Sequence, residues 1–255
     1  MGFDVIDSSG RLKIVPTTFI GEFSTTSTGN IDDLDFSNAS FIRMNNATLS
    51  TIRGLKAGYG GQQVTIVSVG AGQVNLSHQD TGDATAANRL INPITSGVTP
   101  LAPGKGTAVY EYDATTARWR LLQHSQGAWI EVAYSAGNFT SVGGGAWTVD
   151  SGDQRAYGYY LVGSMLNLRI NVADTDVAAS PGITLQIPLP LGLLAEVQQL
   201  QPNLYSDAGS ANIWGYCFTT AGGNTLGFRK IASDAWTVTS GDNTAVSCNI
   251  TMGVT

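Results

Sequence analysis

Across residues 41–125 short β-type runs return at a spacing of about eight to twelve residues, and no other feature restricts the fold as tightly. FIRM, ATLSTI, QQVTIVSV, QVNLSH, TAVYEYD and RWRLLQ alternate or run solidly in β-branched and aromatic residues, with glycine-rich or polar turns between them. That rhythm belongs to an all-β chain, expected here as an antiparallel sandwich or small barrel. VTIVSVGAGQVNLSH reads as a hairpin turning at Gly70-Ala71-Gly72, where glycine supplies a positive φ. VYEYDATTARWRLL reads as a second hairpin, with Tyr110, Tyr112, Trp119 and Leu121 pairing across one face.

Composition agrees. Charged residues make up 13% and apolar residues 42% of 255 residues, so the chain can bury a real core while its surface is dominated by Gly, Ser, Thr, Ala and Asn. The net charge of −6 and the scattered thirteen Lys and Arg argue against a nucleic-acid partner, which would need clustered cations. No apolar run reaches the roughly 18 residues of a membrane span. The start, MGFDVIDSSG, lacks the basic and apolar stretches of a signal peptide, so export by that route is not expected.

Residues 1–40 are turn-rich and carry few large apolar side chains. LKIVPTTF (12–19) is expected to form one edge strand, and the whole segment reads as an extended arm for attachment or subunit packing. DTGDATAANRLINPITSGVTPLAPGKG (80–106) is a long connection with room for one helical turn near Ala86. Residues 128–255 again offer a series of strands, expected to make a second sandwich of jelly-roll type, with one short helix over LLAEVQQLQ (193–201). Within this part AWTVDSGDQRA (146–156) is echoed by AWTVTSGDNTA (235–245). A recurring strand-turn-strand unit explains the echo; two equivalent sugar-binding loops built on Trp147 and Trp236 are the alternative.

Chemistry is sparse. His78 and His124 sit in no zinc or triad pattern, the carboxylates lie mostly in turns, and no cofactor or metal is implied. Asp32, Asp33, Asp35, Asp80 and Asp83 form no calcium loop. Cys217 and Cys248 read as buried thiols. RGLKAGYGGQ (53–62) has the glycines and lysine of a phosphate cradle in the wrong order, since Lys56 precedes the glycines and a strand follows; it reads as a corner.

The succession ATLSTIRGLKAGYGGQQVTIVSVGAGQVNLSHQD, AANRLINP and PLAPGKGTAVYEYDATTARWRLL resembles a module of fibre and baseplate-associated proteins of tailed bacteriophages. The C-terminal part is similar to the β-rich tip or head domains of such fibres. The resemblance implies a non-enzymatic virion protein that assembles as a homotrimer. Its arm would hold other virion proteins, and its last domain would contact host surface polysaccharide or protein. Tyr205, Trp214 and Tyr216, with Trp147 and Trp236, are the candidate receptor-binding residues. A head fibre or capsid decoration protein is the alternative, and a carbohydrate-processing enzyme a remote one.

Overall fold

The computed structural model describes residues 21–37, 39–179, 181–241 and 243–255, together with the strands β1 (Phe3–Ile6) and β2 (Leu12–Val15), which pair antiparallel with each other. The expected edge strand over 12–19 coincides with β2 in its first half; its second half lies outside the described residues. As expected, the protein is all-β, and the helical content among the described residues is three single 3-10 turns, one of them at Ala86–Asn88.

The first core is built by a coiling backbone. Strands β3 (Glu22–Thr25), β5 (Phe41–Met44) and β7 (Gln63–Ser68) stack in parallel, and so do β4 (Gly29–Ile31), β6 (Ser50–Ile52) and β8 (Val74–Ser77) on a second sheet. Successive strands along the chain therefore alternate between sheets, making three short coils of a parallel solenoid. Isoleucine and leucine stack from coil to coil: Ile31 lies on Ile52 and Ile52 on Leu76, while Leu34 bridges Leu55. All are buried.

Two sequence expectations change here. The ladders of β3 to β8 are parallel where antiparallel ones were expected, and VTIVSVGAGQVNLSH is a coil corner, because β7 and β8 belong to different sheets. Gly70 and Gly72 are needed for closeness: a Cβ on Gly70 would lie 2.2 Å from the Asn46 carbonyl oxygen, and one on Gly72 2.1 Å from that of Thr48. Asn46, fully buried, fastens the same corner by donating from Nδ2 to the carbonyls of Thr48 and Gln73. Residues from 21 onward also leave the arm, since Ile31, Leu34, Phe36 and Ala39 are part of this core.

The solenoid ends in antiparallel strands. β11 (Thr107–Asp113) adds to β7, and β12 (Arg118–Ser125) adds to β11 as the second hairpin, with Tyr110 opposite Leu121 and Tyr112 opposite Trp119 as expected. β9 (Leu90–Ile91) follows β12, and β10 (Val98–Leu101) closes the other sheet against β8. Trp119 is fully buried and packs edge-on against Phe36 and Tyr112, with its indole N–H donating to the carbonyls of Leu55 and Lys56.

The second core lies inside a long curled sheet made of β13 (Ile130–Glu131), β14 (Thr140–Val142), β15 (Ala146–Thr148), β16 (Gln154–Val162), β17 (Met165–Ala178), β18 (Thr184–Pro188), β19 (Gln199–Asp207), β20 (Ser210–Thr219), β21 (Thr225–Lys230) and β22 (Thr244–Gly253). Its ladder narrows to one pairing, Ser206 with Ala245, between β22 and β19. There the sheet folds over, so that the β16–β17–β22 part faces the β19–β20–β21–β18 part. The Tyr157 hydroxyl reaches across and donates to the Pro188 carbonyl.

LLAEVQQLQ is not helical. Leu194 and Glu196 donate to Thr255 and Gly253, and Ala195 donates to Gly223, so tertiary pairing takes the amides a helix would use. The two WTV echoes flank one strand end. Trp147 pairs with Val177 in β17, Thr239 donates to the Val177 carbonyl from the other side, and the following strands β16 and β22 are the two neighbours of β17. Only the first copy of the echo is a strand-turn-strand unit, with β15 leading through a turn into β16; in the second, Trp236–Val238 form no strand before β22, so the expected recurrence holds for one copy.

Candidate functional site

Alternation along a strand sends successive side chains to opposite faces, and on β19, β20 and β21 both faces are rich in large apolar groups. The inner set makes the core. The outer set, covered by no other element among the described residues, is Leu200, Pro202 and Leu204 on β19; Trp214, Tyr216 and Phe218 on β20; Arg229 and, just past the strand, Ile231, with Gly227 buried beneath Phe218. Register aligns them in rows, with Leu204 opposite Trp214, Pro202 opposite Tyr216 and Leu200 opposite Phe218. Across the other edge of β20, Tyr216 faces Arg229, Phe218 faces Gly227, and Ile231 donates its N–H to the Trp214 carbonyl. Strand geometry makes this grid roughly 10 Å by 14 Å between Cα positions.

Exposure marks it as unusual. Trp214 is 62% exposed, Ile231 60%, Leu200 58% and Leu204 42%, on one contiguous face. Single exposed apolar residues are ordinary, whereas a contiguous patch on a soluble surface marks an interaction site. Local packing holds the grid flat. The Phe218 ring fills the space a Gly227 side chain would occupy, with ring carbons 2.6 Å from an ideal Cβ. The Arg229 guanidinium sits 4.8 Å above the Phe218 ring and donates through Nε to Thr184 Oγ1 at 2.6 Å. Tyr216 leans on Phe218 at 5.7 Å between centroids. Arg229 is the one charged residue among the nine positions of the grid.

The five sequence candidates divide. Trp214 and Tyr216 stand side by side on this face. Tyr205, Trp147 and Trp236 are core residues, 3%, 4% and 2% exposed. Tyr205 points inward from β19 and lies on Gly215, whose missing side chain leaves room for its ring. Trp147 packs edge-on against Phe139 and Phe228 and donates its indole N–H to Thr175. Trp236 packs on Tyr205 beneath the Lys230 ammonium. Neither tryptophan of the echo can offer a face to a sugar. Leu200, Leu204 and Ile231, which complete the patch, were missed. Their signal was present in LQPNLYSD, where Leu200, Pro202 and Leu204 share one side at period two.

The polar clusters of the protein are tied into the fold. Arg53 grips Asp32 through two bonds of 2.6 Å, and Lys56 meets Asp35 at 2.7 Å, each pair joining one coil to the coil before it. The glycine-rich stretch is thus a corner whose cations pin neighbouring coils. Asp83 is fully buried and touches Asp33, and burial first and this carboxylate neighbour further down push its acidity toward a higher pKa. His78 Nδ1 accepts from the Asn92 amide, and His124 Nε2 meets the Pro100 carbonyl; burial pushes the His124 pKa down. Among the described residues, no group of three or more His, Cys, Asp or Glu side chains is placed to hold a metal ion. No helix among the described residues is long and apolar enough to cross a membrane.

No protein-family model matches the chain, and no match emerges among curated proteins.

Proposed function

We propose that this chain is a non-enzymatic structural protein of a tailed-phage particle, a homotrimeric tail fibre or receptor-binding protein that touches the host through the outer face of β19–β21. The observation that carries the reading is the exposed grid around Trp214 and Tyr216. Its flat, nearly uncharged aromatic surface suits the C–H faces of sugar rings, and Arg229 adds hydrogen-bond donors for hydroxyl or acidic substituents. Host surface polysaccharide is therefore the ligand class. The low-charge surface favours burial between subunits, as trimer assembly requires.

Binding of the whole protein to a panel of bacterial surface polysaccharides tests the reading. Trp214→Ala is expected to weaken binding at least tenfold while the melting temperature moves by no more than about 2 °C. Equal binding by this variant, or no binding to any bacterial surface glycan, refutes it. Light scattering should return three times the 26.7 kDa chain mass. Antibody labelling of particles separates a tail position from the capsid-decoration alternative.

A further inference from the structure

Seven ion pairs among the described residues join basic side chains to carboxylates, and Arg229 is in none of them. Its guanidinium is nonetheless held in place. Nε donates to Thr184 Oγ1 at 2.6 Å, and the central carbon of the group sits 4.8 Å from the centroid of the Phe218 ring. Thr184 is 1% exposed and belongs to β18, the strand paired with β21, so the anchor is part of the sheet. The two terminal nitrogens, Nη1 and Nη2, have no protein partner among the described residues. Register sets this fixed cation opposite Tyr216, with Trp214 two positions along β20 on the same face. Strand spacing separates the Cα atoms of Arg229 and Trp214 by roughly 8 Å.

We propose that the ligand of this face is an acidic polysaccharide, one of whose uronic-acid carboxylates is bound by the free end of the Arg229 guanidinium while a sugar ring lies on Trp214; this rests on the reading of the face as a glycan site given above. A neutral sugar offers the guanidinium single hydroxyl acceptors, whereas a carboxylate matches its forked terminal nitrogens with two parallel, charge-assisted bonds. The anchor on Thr184 and the stacking on Phe218 fix the fork before the ligand arrives, so little side-chain freedom is lost on binding. The apolar side chains around it make each of those bonds stronger than in open water. The net charge of −6 repels a polyanion at long range, so recognition comes from this contact and not from general attraction.

The test uses the whole protein and uronic-acid capsular polysaccharides, each presented native and after carboxyl reduction, which turns the acid into a primary alcohol and keeps the glycosidic linkages. The wild type should bind the native form roughly ten- to a hundredfold more tightly than the reduced form. That preference should vanish in Arg229→Gln, and Trp214→Ala should weaken both forms, because stacking does not need the charge. Equal binding of native and reduced forms by the wild type overturns the proposal and leaves the glycan reading standing, and it needs no variant to be seen. A preference for the native form that survives in a folded Arg229→Gln also overturns it. Failure of every glycan, acidic or neutral, to bind removes the reading of the face and the proposal together.

Discussion

Replacing Asp207 by alanine probes the most demanding electrostatic arrangement in the protein. Asp207 is 6% exposed at its side chain and Lys230 10%, and the carboxylate accepts from Lys230 Nζ at 2.8 Å, from the Thr237 amide at 3.0 Å and from the Thr237 hydroxyl at 2.9 Å. These bonds fasten the Trp236 segment over the core. Without Asp207 the ammonium keeps one partner, the Ala235 carbonyl at 2.6 Å, and its charge is left buried. Breaking a buried pair from one side costs about 3–5 kcal/mol. The orphaned Thr237 amide adds about 1 kcal/mol. For a chain of this size each kcal/mol moves the midpoint by about 2–4 °C, so the melting temperature of the C-terminal half falls by roughly 8–24 °C. Scanning calorimetry with tryptophan fluorescence reads this directly, since Trp236 lies 5.8 Å from the Lys230 nitrogen. The companion variant Asp207→Leu with Lys230→Met removes both charges and should sit within about 2 kcal/mol of the wild type. A single-variant loss below about 1 kcal/mol, the size expected of an exposed pair, would refute the reasoning. So would a double variant no better than the single one.

Gly72→Ala forces a Cβ against the Thr48 carbonyl and should cost about 1–3 kcal/mol by crowding, whereas Gly61→Ala, with φ +79° and open space around it, should cost about 1–2 kcal/mol through backbone conformation alone. A crystal structure of each variant checks the difference, with the coil corner displaced in the first and unmoved in the second. Asp83 has a raised pKa in the fold, so the stability it contributes is fully present below its unfolded value of 3.8 and is lost as pH rises through the folded value. Denaturant titrations at stepped pH should show Asp83→Asn flattening that decline. Trp147→Ala should destabilise by about 3–5 kcal/mol in chemical denaturation, against less than about 1 kcal/mol for Trp214→Ala, which distinguishes core from surface on the two tryptophans.

Much of the candidate face was readable from local pattern. Trp214, Tyr216 and Phe218 are spaced two apart in NIWGYCFTT, and period two is enough to place them on one side of a strand. Which side faces water is not a local property. Tyr205 looked as good a candidate as Tyr216, and it is core because β19 turns its odd-numbered positions inward over Gly215. The echo reads as a strand-turn-strand unit, which only its first copy forms, and both of its tryptophans are buried in the second core.

The coiling of residues 22–77 left a trace that went unread. IDDLD and IRGLK align at an offset of 21 residues, with Ile on Ile, Leu on Leu, and Asp32 and Asp35 against Arg53 and Lys56. Coils that stack in register repeat their inward apolar positions, and opposite charges placed at the same step attract between neighbours. Read as a hairpin, the same glycines implied a tight turn; the coil needs them so that one backbone can pass over another.

By itself the amino-acid order determined that the chain would be β throughout, where its strands run in most places, and that Tyr110, Tyr112, Trp119 and Leu121 would meet across a hairpin. Those properties follow from alternation and turn chemistry within about ten residues. Ladder direction, the fold-over at the Ser206–Ala245 pairing, and the choice of exposed face for β19–β21 were decided by the tertiary structure. Each depends on which distant segment takes a strand's free backbone groups, and no local pattern names that partner.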